Sequence, residues 1–377
     1  MSNADELPQA DCVTGAPHPR QTARLIGQGH AEAEFLAAYN SSRLHHAWLI
    51  TGPRGVGKAT LAWKLARFLL AEPADDGASM FGGEAKPTNL EVSDDHPVAH
   101  RLLALSEPRL FLLRRAWDEK TKKLKSVITV DEARKLKNFF SLSAADGGRR
   151  VVIVDAADEM NPNAANALLK LLEEPPERTT IFLISHQPSR LLPTIRSRCR
   201  ELRCSTLGPD DMATALNTAG AEIPENAAAL ATLAGGSVGE ALRLINLDGL
   251  QAYQEIINLF STLPRLDKSR ALRLAESVVG KAKEDRYDLL LGLMDLFLAR
   301  IARAGAAGAP DSPAADNEIA LLTRLAPSPY AGRIWAQLQQ ELGARSRHGK
   351  GVNLDPAALI LDMVFKIDAT AAKTAAR

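Results

Sequence analysis

The feature that most constrains this chain is a glycine-rich loop between an apolar run and an amphipathic segment. Residues 52–58 read Gly-Pro-Arg-Gly-Val-Gly-Lys and match the pattern G-x-x-x-x-G-K. The four residues before the loop, Trp-Leu-Ile-Thr, predict a buried strand, and the helical spacing of apolar residues in 60–71 predicts a helix. A loop of this pattern in this context indicates the phosphate-binding P-loop of α/β proteins.

The P-loop supplies the candidate nucleotide-binding residues Gly52, Gly55, Gly57 and Lys58. The glycines allow backbone N–H groups to face phosphate oxygens, and the lysine is expected to reach the β- and γ-phosphates. The next residue is Ala59, although the motif has Ser or Thr here because its hydroxyl binds Mg²⁺. Thr60 is rotated by about 100° around the helix and does not replace it. We expect phosphate binding with a weakened metal site, the alternative being a glycine-rich turn without a ligand.

A second motif is an apolar strand that ends in a carboxylate. Residues 151–154 are Val-Val-Ile-Val, and Asp155 follows them. This is the form of a Walker B strand, whose aspartate helps to hold Mg²⁺, so we predict Asp155 as a further nucleotide-site residue. Hydrolysing ATPases of this layout carry a glutamate next, but this chain has Ala156, and Asp158 and Glu159 lie beyond the strand end. We expect impaired hydrolysis; in the alternative interpretation Asp155 only caps a turn.

The rest of the chain predicts an α/β core followed by helices. Further buried strands are expected at 110–113 and 181–184, and a short β-rich stretch at 126–130. Strands that alternate with helices indicate a parallel sheet flanked by helices on both faces. The 377 residues, 46% of them hydrophobic, exceed one domain. We predict a disordered tail (1–19), the α/β core (20–206), a small helical domain (207–262) and a helical C-terminal domain (263–377), with a surface insertion at 72–97 and a linker at 305–315.

Two more motifs carry a family resemblance. Residues 166–176 read NALLKLLEEPP, and residues 197–199 read Ser-Arg-Cys. With the P-loop and the acidic strand, in this order, they resemble the AAA+ subunits of bacterial clamp loaders over about residues 45–204. Within that family Ala59, Ala156 and Gly239 depart from the ATP-hydrolysing gamma/tau pattern, and Gly239 stands where active members carry a sensor arginine. The chain therefore resembles the delta-prime group of DNA polymerase III clamp-loader subunits.

The resemblance implies a role as well as a fold. It implies an AAA+ core, a small helical lid and an all-α collar that assembles into a five-subunit ring with gamma/tau and delta subunits. The ring assists ATP-dependent loading of the sliding clamp onto primer-template DNA, and any nucleotidyltransferase activity belongs to the polymerase holoenzyme. Arg198 is then an arginine finger for a neighbour's ATP site, while this chain holds ATP or ADP without hydrolysing it. Without the resemblance, Arg198 is one of several arginines in a basic surface segment.

Cysteine and histidine usage argues against structural zinc and against disulfides. The three cysteines, Cys12, Cys199 and Cys204, are too few for a disulfide framework and indicate a reducing compartment. Many clamp-loader relatives carry a four-cysteine zinc module that has no counterpart here, and His96 and His100 are expected to be a solvated surface pair. We therefore expect no zinc. No apolar run approaches the ~20 residues of a membrane span, so we expect a cytoplasmic protein.

Two other functions stay open on the sequence alone. An autonomous P-loop ATPase of the remodeller or helicase-loader type would use Thr60 with Asp158 or Glu159 as displaced ligands, and would turn over ATP as a single chain. A small-molecule P-loop kinase would need neither the Ser-Arg-Cys motif nor the long helical C-terminal region. The basic residues between 114 and 125 are either DNA contacts or a solvated loop, since a net charge of +1 supplies no overall attraction to nucleic acid.

Overall fold

The chain folds into two compact units in the computed structural model. Unit 1 comprises residues 1–222 with 236–240, and unit 2 comprises residues 223–235 with 241–377. The residues that the structure describes are 9–22, 24–41, 43–72, 86–141, 148–280, 283–352 and 354–375. Residues 1–8 of the predicted tail and 73–85 of the predicted insertion lie outside the described residues. The division into a tail and three domains stays a prediction.

The strands of unit 1 form one parallel sheet and one small hairpin. In chain order they are β1 (Ala47–Thr51), β2 (Leu110–Arg114), β3 (Trp117–Asp118), β4 (Lys123–Leu124), β5 (Arg150–Asp155), β6 (Thr179–Ser185) and β7 (Arg200–Arg203). The sheet has the order β2-β5-β6-β1-β7 with every pair parallel, and β3 pairs with β4 antiparallel. Because parallel strands share one direction, the segments that follow β1, β5 and β6 leave the sheet at the same edge.

Helices cover both faces of this sheet. The α-helices of unit 1 in the described residues are α1 (Gly29–Asn40), α2 (Lys58–Ala71), α3 (Pro97–Leu103), α4 (Val130–Ser141), α5 (Pro162–Glu173), α6 (Pro193–Arg196) and α7 (Pro209–Thr218). On one face Phe35 of α1 contacts Trp48 and Phe182, with ring centroids 5.1 and 5.9 Å apart. On the other face Leu49 shares a hydrophobic cluster with Leu168 of α5. Burial on both faces explains the continuous apolar runs of β1, β5 and β6, and the predicted α/β core, a parallel sheet flanked by helices, is confirmed.

Two parts of the sheet region differ from the sequence prediction. The stretch 126–130 forms no strand in the described structure and makes one β-bridge, between Ile128 and Met160. The edge strand β7 was not predicted. Only one of its four residues, Leu202, is buried. An edge strand pairs on one side only, and here its polar side chains leave no run or alternation of apolar residues to detect.

Residues 9–19 of the predicted tail, together with 20–22 of the predicted core, make specific contacts within unit 1. The carboxylate of Asp11 forms an ion pair with Arg114 of β2 at 2.5 Å, and its other oxygen lies 3.2 Å from Nε2 of His18. Arg20 donates from Nε to the carbonyl of the last residue of α3 at 3.2 Å. His18 and Arg20 are buried, and so is the side chain of Asp11. These contacts depend on charge pairing between distant residues, which shows no apolar periodicity in the sequence.

The described residues of unit 2 form helices joined by short loops. The helices are α8 (Ala227–Ala234), α9 (Val238–Asn246, whose first three residues belong to unit 1), α10 (Gly249–Phe260), α11 (Lys268–Glu276), α12 (Glu284–Ala307), α13 (Glu318–Leu325), α14 (Pro329–Gly351) and α15 (Pro356–Ala375). The all-α C-terminal region is thus confirmed. Among the described residues, no helix combines the length and apolar character that a bilayer crossing requires.

The predicted linker at 305–315 begins too early, because α12 continues to Ala307. Glycine at position 305 suggested a break in the chain, but it serves the packing of two helices. A Cβ on Gly305 would lie 2.7 Å from the Cα of Gly332 in α14. The two helices therefore approach backbone to backbone at this point, and a larger residue would separate them.

Candidate functional site

The P-loop connects β1 to α2 and closes around its own lysine. Gly52, Gly55 and Gly57 have φ angles of 139°, 77° and 101°, which glycine adopts far more readily than other residues. Lys58 is the first residue of α2 and is 3% exposed. Its Nζ donates to the carbonyl of Gly52 at 2.7 Å and to that of Pro53. The loop therefore turns at its glycines between β1 and α2, and its own carbonyls enclose the ammonium group of Lys58.

The first residues of α9 rest directly on the P-loop. A Cβ on Gly239 would lie 2.8 Å from the Cα of Gly55, so the two glycines meet backbone to backbone. The N–H of Gly239 donates to the carbonyl of Gly55 at 3.0 Å. Beside them Ser237, which is buried, donates from Oγ to the carbonyl of Arg54 at 2.7 Å. Position 239, where the resemblance implies a sensor arginine in active members, instead makes a backbone contact that leaves no room for a side chain.

Replacing Gly239 by alanine is expected to destabilise unit 1 by about 1–3 kcal/mol, because the added methyl group overlaps the backbone of Gly55. A Gly→Ala change inside a helix otherwise stabilises by roughly 0.5–1 kcal/mol. Gly29, the first residue of α1, has nothing within 4 Å of a Cβ position, so Gly29→Ala is the matched control and is expected to be neutral or stabilising. Urea unfolding of both variants measures the difference, and equal midpoints would contradict the close contact.

Burial governs the charges of Lys58 and Asp155. It lowers the pKa of Lys58 to about 8, against the opposing effects of the nearby Cys204 and Asp155. It raises the pKa of Asp155 to about 7, and the carboxylates of Asp11 and Glu159 add to this rise while Lys58 opposes it. A large fraction of Asp155 is therefore protonated at neutral pH. A carboxyl group must lose its proton before it binds a metal ion, so metal binding at Asp155 would be coupled to proton release.

The carboxylates that follow β5 have structural partners. Asp158 accepts the two backbone N–H groups that follow β6, at 3.0 and 3.2 Å. Glu159 pairs with Arg115, with Oε2 and Nε 2.7 Å apart. Thr60 lies on the lining of a surface cleft together with Trp63. An autonomous ATPase would need these residues as displaced ligands. Asp158 and Glu159 already have partners, and Thr60 lines a surface cleft.

Two polar atoms at the end of β6 are buried and have no hydrogen-bond partner among the described residues: Oγ of Ser185 and Nδ1 of His186. Ser185 pairs in register with Thr51, the residue that precedes the P-loop. Burial, together with the charge of Lys58, lowers the pKa of His186 to about 4, so its ring is neutral. Buried polar atoms without partners are unfavourable. The site therefore fits one further polar group, such as phosphate oxygens beside Lys58, although it lacks the hydroxyl and the glutamate that a catalytic Mg²⁺ site uses.

Arg198 lies at the opposite end of the sheet from the P-loop. It precedes β7, whose Arg200 pairs with Trp48 near the start of β1, whereas the P-loop follows Thr51 at the end of β1. From residue 48 to residue 52 the parallel strand advances by about 13 Å, at roughly 3.3 Å per residue. The structure brings the predicted P-loop residues close to Asp155, but it places Arg198 apart from them. Arg198, whose side chain is 36% exposed, is therefore outside its own chain's nucleotide site.

Of the side chains considered for metal binding, His96 has a structural role in the described structure. His96 caps α3, since its Nδ1 accepts the N–H of Val98 at 3.2 Å. Burial raises the pKa of Cys199 to about 12 and that of Cys204 to about 11. Thiols with such pKa values stay protonated at neutral pH and are poor metal ligands. The expectation of a chain without zinc stays a prediction.

The amino-acid sequence of this core matches a known family. A family model described as "DNA polymerase III, delta subunit" matches residues 27–208. The match covers the chain from just before α1 to the loop before α7, so this core is similar to that family. The DNA polymerase III subunit delta' of Pseudomonas aeruginosa is 43% identical over 204 residues, which are 53% of this chain and 55% of that protein. The subunit delta' of Escherichia coli is 33% identical over 226 residues, which are 59% of this chain and 61% of the relative.

The predicted resemblance to delta-prime clamp-loader subunits is thereby confirmed. The DNA polymerase III subunit tau of Escherichia coli is also similar, with 29% identity over 272 residues, which are 69% of this chain and 38% of that protein. The chain spans little more than half the length of the delta' relative from Pseudomonas aeruginosa and about three fifths of that from Escherichia coli. The matched family region contains the P-loop, β5 and the Ser-Arg-Cys turn.

Proposed function

We propose that this chain is a delta-prime subunit of a DNA polymerase III clamp loader that assists its neighbour's ATP site rather than hydrolysing ATP itself. The observation that carries this proposal is the separation of two half-sites. The P-loop keeps a buried Lys58, but the chain lacks the metal-binding hydroxyl at position 59 and the catalytic glutamate at position 156. Arg198, the candidate arginine finger, lies at the other end of the sheet. In this proposal the chain binds one nucleotide at its own P-loop, and its Arg198 acts on a second nucleotide bound by an adjacent subunit.

The P-loop of this subunit holds ATP or ADP without turning it over. A bound nucleotide would supply phosphate oxygens, the hydrogen-bond acceptors and negative charge that Lys58 and the neighbouring N–H groups of the loop are suited to receive. Ser185 and His186 have unpartnered polar atoms beside that position, which supports binding. Ala59 and Ala156 argue against a catalytic Mg²⁺ at the same place.

Arg198 acts in trans, on the nucleotide of an adjacent subunit. Its side chain is partly exposed on a turn that is fixed by hydrogen bonds between backbone groups, and its planar guanidinium suits phosphate oxygens. The partners of the chain in this proposal are gamma/tau and delta subunits in a ring of five. The assembled ring loads the sliding clamp onto primer-template DNA, and the polymerase activity belongs to the holoenzyme.

An autonomous P-loop ATPase is the alternative function, and the geometry argues against it. Such an enzyme would need Asp158 or Glu159 free to bind metal or to activate water. Asp158 instead accepts two backbone N–H groups, and Glu159 is paired with Arg115. A P-loop kinase is argued against by the Ser-Arg-Cys turn and the helical unit 2, because a kinase requires neither.

The isolated chain is expected to show no ATP turnover, and it is expected to co-purify with gamma/tau and delta subunits as a complex that hydrolyses ATP. The physical reason is the absence of a hydroxyl at Ala59 and of a carboxylate at Ala156. Size-exclusion chromatography and a phosphate-release assay on the chain, the partners and the mixture measure both properties. Turnover by the chain alone that disappears in Lys58→Ala would favour the autonomous ATPase and would contradict the proposal.

A further inference from the structure

The guanidinium of Arg198 is held by contacts within its own chain. Nη1 donates to the carbonyl of Thr194 at 2.9 Å and to Oγ of Ser197 at 3.4 Å, and Nη2 pairs with Oε1 of Glu173 at 2.9 Å. Thr194 and Ser197 belong to the same helix and turn as the arginine, whereas Glu173 ends a different helix, α5. A guanidinium has five N–H donors, so these contacts leave donors for a phosphate group.

Glu173 occupies a position that is unfavourable for a carboxylate on its own. It is the last residue of α5, where the partial negative charge of the helix end repels an anion and favours a cation. The helix cannot easily continue, because Pro175 and Pro176 follow. The neighbouring carbonyl of Leu172 accepts the Nε2–H of His46 at 2.9 Å, which ties the end of α5 to the residue before β1. The positive charge of the Arg198 guanidinium offsets the repulsion between the Glu173 carboxylate and the negative end of the helix.

Each member of the ion pair is adjacent in sequence to a residue of one hydrophobic cluster or to a residue packed against it. Leu172, next to Glu173, belongs to this cluster with Ile195, and Cys199, next to Arg198, packs against it. Burial keeps the Cys199 thiol neutral by raising its pKa to about 12. The backbones on either side of the ion pair are therefore fixed relative to each other, and the pair needs only side-chain ordering to form.

We propose that Glu173 is a positioning residue that orients Arg198 for the neighbouring subunit's nucleotide. This inference rests on the proposed function of Arg198 as an arginine finger in trans. A long, partly exposed side chain loses conformational freedom when it binds, which weakens the interaction. Glu173 and the Thr194 carbonyl order the guanidinium beforehand. A residue that orients the finger affects the rate of the chemical step, whereas the affinity for ATP at that site stays the same.

The test uses loaders assembled with gamma/tau and delta subunits and studied by single-turnover ATP hydrolysis with clamp and primed DNA. Arg198→Ala identifies the kinetic phase that depends on the finger. Glu173→Gln, which removes the charge but keeps the shape, is expected to slow that phase about three- to tenfold without changing its dependence on ATP concentration. In a loader that already carries Arg198→Ala, Glu173→Gln is expected to have no further effect, because the two residues act as a unit.

The matched control is Glu174→Gln, which removes the adjacent carboxylate. Glu174 is exposed and forms no ion pair within the described residues, so the control loader is expected to hydrolyse ATP as the unmodified one does. If Arg198→Ala removes a phase while Glu173→Gln leaves its rate unchanged, the inference about Glu173 is wrong and the proposed function stands. Additive effects of the two changes would also overturn the inference. If Arg198→Ala leaves every phase unchanged, the proposed function itself fails.

Discussion

Arg198→Ala is expected to slow ATP hydrolysis at one site of the assembled clamp loader by about 10³-fold or more, the range of an arginine finger supplied in trans. The reason is the loss of a planar cation aimed at the charge that develops on the transferred phosphoryl group. In the proposed function the affected site belongs to a neighbour, because Arg198 precedes β7, whose Arg200 already lies about 13 Å along the strand direction from the start of the chain's own P-loop. Single-turnover hydrolysis with clamp and primed DNA measures the loss, while ATP binding is expected to be preserved.

Two substitutions control for charge and for local structure. Arg196→Ala removes the same charge from an exposed arginine on α6 and is expected to leave hydrolysis unchanged. Arg198→Lys keeps the charge but lacks the forked donors, so it is expected to restore little of the rate. Hydrolysis at the normal rate in the Arg198→Ala loader would refute the arginine finger. A fall of equal size in Arg196→Ala would indicate a general effect of the basic surface instead.

The core of unit 1 could be predicted because its strands are buried on both faces. Continuous apolar runs mark β1, β5 and β6, and the P-loop glycines mark the point where β1 turns into α2. The edge strand β7 could not be recognised in this way, since only Leu202 of its four residues is buried. The linker prediction failed for a related reason: Gly305 looks like a break in the sequence but serves close packing against Gly332.

The residues of the candidate site that belong to a sequence motif could be predicted. The residues that reach the site only through the tertiary structure could not. Lys58 belongs to a motif and lies where the motif places it. Asp11 comes from a distant segment and acts on Asp155, and His186 lies near enough to Lys58 to be affected by its charge. The sequence analysis missed both residues. The position of His186 directly after a buried strand, at the edge that carries the P-loop, is the signal that could have identified it. For Asp11 the sequence holds no such signal, because its partners Arg114 and His18 are set by tertiary structure.

Unit 2 contains a buried ion pair whose loss is expected to have the largest effect on stability. Glu318, at the start of α13, is 0% exposed. Its Oε1 accepts from the hydroxyl of Tyr253 and from Nε of Arg300, each at 2.6 Å, and its Oε2 accepts from the N–H of Ala314 at 2.6 Å. Burial, with the nearby Glu318 carboxylate, raises the pKa of Tyr253, so the hydroxyl keeps its proton and remains a donor. One carboxylate thus joins α10, α12, α13 and the loop before α13.

Glu318→Ala is expected to lower the free energy of unfolding of unit 2 by about 3–5 kcal/mol, because it leaves Arg300 buried without its anion and Tyr253 without its acceptor. Asp362→Ala is the control: it removes an ion pair with Arg345 whose side chains are 33% and 52% exposed, and such pairs contribute about 0–1 kcal/mol. Urea unfolding followed by hydrogen exchange of unit 2 measures both. Removing both charges, as in Glu318→Leu with Arg300→Met, is expected to recover much of the loss, since the main cost is the unpaired buried charge. A double variant no more stable than Glu318→Ala would show that the hydrogen bonds to Tyr253 and Ala314 carry the stability instead.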